Sequence, residues 1–261
     1  MKPDSPWQES RVSAPATGAK TAGALAAALL SLAAGAAAGP VRAADALPGY
    51  HAIYEATYQG RAVGEAEFSL TLLDAGNGTY EFRSSLRYGG IYRLIAPRPP
   101  EESSEFMLED GRIQPLAYSL LDRTRGGEDS FDITFDWQSG QAFTTADGTS
   151  VESPLVPGTL DRGSLQVALT LLGDDFAAEQ VTLLDRDGPE VHDLRATGEE
   201  MLDTPLGRFQ TRTLTQQRQG SSRRTLVWLA PDLRDLPVRI ERQRNGEARV
   251  GFLLKEVRWH Q

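Results

Sequence analysis

Ser130-Phe131-Asp132-Ile133-Thr134-Phe135-Asp136-Trp137 places a bulky apolar residue at every second position and a polar one between. Successive side chains of a β-strand point to opposite faces. The stretch therefore reads as a half-buried strand, with Phe131, Ile133, Phe135 and Trp137 inward and Ser130, Asp132, Thr134 and Asp136 outward. At 3.6 residues per turn the same apolar residues would scatter around a helix.

The two-residue period continues in both directions. Upstream, Tyr50, Ala52, Tyr54, Ala56 and Tyr58 share a face, Gln59-Gly60 turns, and Gly64, Ala66, Phe68, Leu70 and Leu72 follow on a second strand whose other face carries Glu65 and Glu67. This is a hairpin. Turn residues at 74–78 lead into a strand over 80–86, and 105–108 meets 113–121 across Asp110-Gly111. Downstream, strands are expected over 181–184, 191–196, 209–215, 224–229, 238–242 and 250–257, with Asn245-Gly246 a hairpin turn between the last two.

One stretch of the mature chain reads as a helix. Over 160–172, Leu165, Ala168, Leu169 and Leu172 fall at i, i+3, i+4 and i+7, Asp161 is placed to cap the start, and Gly173 to end it. About a dozen antiparallel strands in one sheet must curl, close or stack. The expected architecture is all-β, a single large curved antiparallel sheet forming a half-open barrel or β-spiral with one inserted helix. A transmembrane barrel would need a lipid-facing apolar band on nearly every strand, whereas these strands carry charges on one face.

The first 43 residues are of another kind. Lys2, Arg11 and Lys20 precede Thr21 to Ala38, eighteen uncharged residues of which ten are Ala, and Gly39-Pro40 breaks the run before Val41-Arg42-Ala43. Small apolar residues at −3 and −1 fit signal-peptidase cleavage after Ala43. The division expected is a signal peptide over 1–43 and one β-rich domain over 44–261, periplasmic or secreted and not integral to the membrane after cleavage. Losing Lys2, Arg11, Lys20, Arg42, Asp4 and Glu9 takes the net charge from −9 to −11.

Composition excludes several chemistries. The chain has no Cys, so it forms no disulfide, thiolate metal site, cysteine nucleophile or lipid-modified N-terminal Cys. Its acidity argues against a surface that tracks nucleic-acid phosphates. The sequence lacks the Gly-x-Ser-x-Gly, His-Glu-x-x-His, P-loop and dinucleotide-binding patterns. Ser164 lies where a helix cap is ordinary, Asp185 to Asp193 matches no metal-loop spacing, and Glu199-Glu200, being adjacent, face opposite ways. No cofactor or metal is expected. Arg218, Arg223 and Arg224 crowd one hairpin and are candidates for an anionic group, against the plainer reading that they offset acidic neighbours.

Alternation fails from Tyr88 to Pro100, where Ile91, Tyr92, Leu94 and Ile95 clump between Gly89-Gly90 and a run of prolines. One reading is a flap over an apolar cavity, with Arg93 and Arg98 meeting an anionic head group; the other is a buried crossover. The candidate ligand-binding residues are Ile91, Tyr92, Arg93, Leu94 and Arg98, with Leu165 and Leu169 of the helix, and Trp228.

The C-terminal half carries more distinctive spacing: Thr204-Pro205-Leu206-Gly207-Arg208-Phe209, Trp228-Leu229-Ala230-Pro231 and Leu236-Pro237-Val238-Arg239-Ile240. With Tyr54-Glu55, Ile113-Gln114-Pro115 and Phe135-Asp136-Trp137, these resemble the bacterial domain-of-unknown-function 3108 (DUF3108) family over nearly all of residues 48–258. The resemblance implies an exported envelope protein without an established activity. The same motifs also suit plain structural roles: Pro205 and Gly207 in a tight turn, Trp228 at a buried strand end, Pro231 and Pro237 at a stiff corner between edge strands. The expected function is non-catalytic binding of a hydrophobic or amphipathic ligand, such as a lipid, in the curved sheet. The alternatives are a scaffold docking an envelope protein or glycan, and a carboxylate-dependent hydrolase.

Overall fold

Four turns share one backbone signature. Gln59-Gly60, Asp110-Gly111, Asp147-Gly148 and Asn245-Gly246 each place two consecutive residues in the left-handed region, with φ from 49° to 81°. Such turns match the right-handed twist of the strands they join, so each folds the chain back on itself as a tight hairpin. Repetition of this local event generates the architecture.

The computed structural model describes residues 46–95, 100–122 and 129–260. The leader expected over 1–43 and Arg98 lie outside them. The first half of the chain forms β1 (Gly49–Tyr58), β2 (Arg61–Asp74), β3 (Thr79–Tyr88), the single-turn α1 (Tyr92–Ile95), β4 (Glu101–Glu109), β5 (Arg112–Asp122), β6 (Asp129–Asp136), β7 (Gln141–Ala146) and β8 (Thr149–Pro154). After α2 (Arg162–Ala168) come β9 (Ala178–Asp185), β10 (Gly188–Thr204), β11 (Gly207–Arg218), β12 (Arg223–Ala230), β13 (Leu236–Arg244) and β14 (Glu247–His260).

All fourteen strands lie in one antiparallel sheet, ordered β8-β7-β6-β5-β4-β3-β2-β1-β14-β13-β12-β11-β10-β9. Two sequential meanders are thus joined side by side through β1 and β14. Their outermost strands, β8 and β9, are consecutive in sequence and flank α2. A parallel bridge between Leu160 and Leu183 ties the chain entering α2 to β9. The all-β, half-open expectation is met.

The sheet curls around its own apolar face. Tyr54, Ala66, Leu70, Phe82, Phe106, Val227, Ile240 and Leu254 from seven strands join Leu165, Val167 and Leu169 of the helical segment in one buried cluster. Tyr118, Phe131, Ile133, Phe135 and Ala142 form a second, smaller cluster with Leu184. At about 25 cal/mol per Å² of buried apolar area, these clusters are the dominant stabilising term. Pairing strands so distant in sequence on one interior is possible only if the sheet is concave toward them.

The helix lies on that concave side, against β3, β4, β5 and β9. It covers less of the sequence than its periodicity suggests: the α-helix ends at Ala168 and a 3₁₀ turn over Leu169–Leu171 completes it. Both ends are fastened. Asp161 caps the start, and Arg212 of β11 donates to the Leu172 and Gly173 carbonyls (3.0 and 2.7 Å) and to Asp235 (2.7 Å).

Two strands went unanticipated. β7 and β8 are short and lie at one end of the sheet, and β8 is largely exposed, so neither shows a strong apolar stripe. The corner at Pro231 and Pro237 also sits elsewhere than expected, because β12 and β13 are interior strands of the sheet.

Candidate ligand-binding face

Cross-strand register lays out successive rungs across the concave face. One rung runs Ala56, Phe252, Ile240, Val227, Leu214. The rung beyond it, toward the Gln59-Gly60 and Asn245-Gly246 turns, runs Arg61, Tyr58, Val250, Arg242, Thr225, Gln216. At the margin, Arg244 stands opposite Arg223, and Arg218 opposite His192. Strand alternation places all of these on the side of Val227 and Ile240.

Burial falls away along this series. Val227 and Ile240 are buried, Phe252 and Val250 only partly so, and Tyr58 is 51% exposed. Phe68 lies centrally, with ring centroids 4.7 Å from Tyr54 and 5.8 Å from both Phe82 and Phe252. Leu86, on the same face of β3, is also partly buried. An apolar floor therefore passes without a break into an arginine-rich margin.

The charges at that margin are unevenly matched. Arg218 pairs with Glu190, which also meets His192 Nε2 at 3.2 Å, and Arg249 pairs with Glu247 at 2.7 Å. Gln216 holds the other ring nitrogen of His192 at 3.2 Å. Arg223, Arg242 and Arg244 have no carboxylate partner among the described residues. Offsetting of acidic neighbours thus accounts for Arg218 and not for Arg223, while Arg224 points to the other face and bonds Gln243 at 2.7 Å. Tyr58, Arg244, Asn245 and Arg249 line a hollow of about 420 Å³ here.

Beneath the helix lies a second polar group, wholly enclosed. Asp161 Oδ1 accepts from the Gly163 and Ser164 amides at 2.8 and 2.9 Å, and Oδ2 from Ser104 Oγ at 2.9 Å. Burial pushes this carboxyl up to about 7, against the pull of the hydrogen bonds from Ser164 and Ser104. Glu102 nearby accepts from Ser84 Oγ and the Tyr118 hydroxyl at 2.9 and 2.7 Å, and burial beside Glu102 holds the Tyr118 hydroxyl well above its ordinary range. Arg162 forks onto Asp185 and lies 5.7 Å over the Phe131 ring, tying β9 to β6. Asp161 is 0% exposed and both its oxygens are engaged, so it has no free atom to offer a substrate. Its role is that of a cap.

The residues singled out from sequence do not converge. Leu165 and Leu169 are buried in the main core, each 1% exposed. Trp228 is buried too, its indole N–H donating to Glu200 and the Arg239 guanidinium lying 4.6 Å over its ring. Ile91 is 67% exposed, Arg93 is exposed and Tyr92 partly buried. The side chain of Leu94 lies outside the described residues, as does Arg98. Ile91 and Tyr92 border a hollow of about 350 Å³ with Glu55, Glu65 and Lys255. Those three alternate with the core residues Tyr54, Ala66 and Leu254, so this hollow opens on the convex face, away from α2. The Lys255 ammonium donates to Glu65 at 2.6 Å and draws that carboxyl below its usual value.

Sequence reasoning missed the margin. Arg242 and Arg244 alternate on β13 and Arg223 faces Arg244, but cross-strand register is needed to see that they meet on one side. Among the described residues no group of three His, Asp or Glu could hold a metal ion, and no helix is long and apolar enough to cross a membrane.

A family model described as "Protein of unknown function (DUF3108)" matches residues 53–251. No curated protein matches the chain. Among solved structures, a β-barrel-like DUF1849 protein from Brucella abortus superposes with a TM-score of 0.53 at 14% identity, covering 82% of this chain and 99% of its own. A protein of Parabacteroides distasonis provisionally classed as a lipoprotein gives 0.36 at 12% identity, covering 82% of this chain and 96% of its own. The first likeness shows a shared fold.

Proposed function

The chain belongs to the DUF3108 family, whose function is unknown, and from that premise we propose a non-catalytic, exported protein of the bacterial envelope that holds a hydrophobic or amphipathic ligand on its concave face. One observation carries the reading: Phe68, Leu86 and Phe252 stay only partly buried on the inner face of a sheet whose helix packs on β3, β4, β5 and β9. Apolar surface left on the inside of a half-open barrel is where ligands of such folds lie. Burying an acyl chain there gains about 0.8 kcal/mol per methylene.

The non-catalytic reading is supported by how the carboxylates are engaged. Glu200 accepts from Trp228, Glu199 from Gln210, and Asp161 caps α2, so none is paired across a cleft as glycoside hydrolysis requires. Export is supported by the basic start, the Ala-rich run and the Val41-x-Ala43 pattern.

Mass spectrometry of lipid extracted from gently purified protein tests the ligand. Stoichiometric amphiphile is expected, and saturable uptake of a fluorescent fatty acid that falls in Tyr58→Asp at unchanged melting temperature. Absence of both bound lipid and saturable uptake would overturn the reading. The intact mass of envelope-fraction protein tests export, an N-terminus at Ala44 being expected.

A further inference from the structure

Three features of the margin do not follow from folding alone. Arg223 and Arg244 face each other on paired strands, which places like charges side by side, and Glu247, opposite Arg244 on β14, pairs with Arg249 rather than with either. Arg242, one rung inward on the same face, adds a third guanidinium. Several other arginines of this acidic chain find carboxylates two residues away, as in Arg83–Glu81, Arg239–Glu241 and Arg258–Glu256. The acids at the margin, Glu190 and Glu247, are engaged by Arg218 and Arg249, and Arg223, Arg242 and Arg244 have none among the described residues.

We propose that Arg223, Arg242 and Arg244 bind a phosphate-type anion, the head group of the amphiphile assigned above to the concave face. This rests on that reading for the tail and stands apart from it for the head. A guanidinium fork matches two oxygens of a phosphate, and two forks from opposed strands can grip one tetrahedral group from both sides. The Tyr58 hydroxyl and the Asn245 amide, lining the hollow with Arg244, supply further donors. Immediately inward lie Val250 and then Phe252, so an anion seated among the arginines has its ester substituent directed onto apolar surface. The charge relieves the Arg223–Arg244 repulsion, and the apolar rungs accept the chain.

Calorimetric titration of the full chain with dodecyl phosphate, dodecyl maltoside and inorganic phosphate, each below any micelle concentration, separates head from tail. Dodecyl phosphate is expected to bind most tightly, with affinity falling as salt rises, and Arg223→Gln/Arg244→Gln is expected to weaken it at least tenfold while leaving dodecyl maltoside binding unchanged and the melting temperature no lower. Equal affinity of the variant and the unmutated protein for dodecyl phosphate overturns the anion site, and maltoside binding would then leave the apolar floor standing alone. Arginine-dependent binding of inorganic phosphate as tight as that of dodecyl phosphate supports the anion site with free phosphate as its ligand. If maltoside does not bind, the floor falls and the arginine site stands.

Discussion

Ser104 Oγ donates to Asp161 Oδ2 at 2.9 Å, and neither residue has exposed surface. Fifty-seven residues apart, they fasten the first turn of α2 to β4. Asp161→Ala would strip two helix amides and a buried hydroxyl of their acceptor at once. A loss of about 3 kcal/mol is expected in urea unfolding, with Ser104→Ala costing about 1 kcal/mol because Oδ2 then loses its one donor while the two amide bonds to Oδ1 remain.

The same carboxyl makes stability depend on pH in a stated direction. Its folded value of about 7 lies above the ordinary Asp value of about 3.9, so between these limits the native state binds a proton that the unfolded chain has released. Its contribution is complete below about pH 4 and is lost as pH rises through 7, on the order of 4 kcal/mol. Asn carries no such proton. The stability difference between the unmutated protein and Asp161→Asn is expected to shift against the former by that order from pH 4.5 to pH 8, and parallel pH profiles would show that Asp161 is ionised throughout.

Gly64 is a point of close backbone approach between β2 and β3. A Cβ built there would lie 2.0 Å from the Arg87 carbonyl oxygen and 2.9 Å from Tyr88 Cα. Backbone atoms held in a ladder yield less readily than a side chain. Gly64→Ala should cost several kcal/mol, on the scale of overpacking plus lost pairing, seen as a melting temperature lowered by more than about 5 °C.

Leu169→Asp and Ile91→Asp should behave in opposite ways. Leu169 is 1% exposed in the main core, and an unpaired carboxylate there is expected to cost several kcal/mol or abolish folding. Ile91 is 67% exposed, and its substitution should change stability by less than about 0.5 kcal/mol. Thermal denaturation of both checks this, equal losses being the contrary result.

The sheet was legible in sequence because burial on one face forces a period of two, and Phe131, Ile133 and Phe135 show it without interruption. Asp161 was legible as a cap for a similar reason: helix starts impose their own local chemistry. β7 and β8 were not, since the exposed β8 has little reason to alternate, although Asp147-Gly148 marks the turn between them. The surroundings of Ile91 were not legible, because a clump of apolar residues announces burial without saying against what, and Ile91 borders the hollow on the convex side. Arg242 and Arg244 escaped because the partner that gives them meaning, Arg223, is about twenty residues away and joins them only through register.

The pairing of β1 with β14 has a consequence for how the molecule is made. Ribosomes deliver β1 first and β14 last, and the two share ten paired positions, from Gly49 with His260 to Tyr58 with Val250. Until Glu247 and the residues after it emerge, the first meander presents an unpaired strand edge flanked by Tyr50, Tyr54 and Phe68, the kind of surface that templates aggregation. That edge closes only when β14 is in place, and a chain that stops before β14 lacks its central seam rather than its margin.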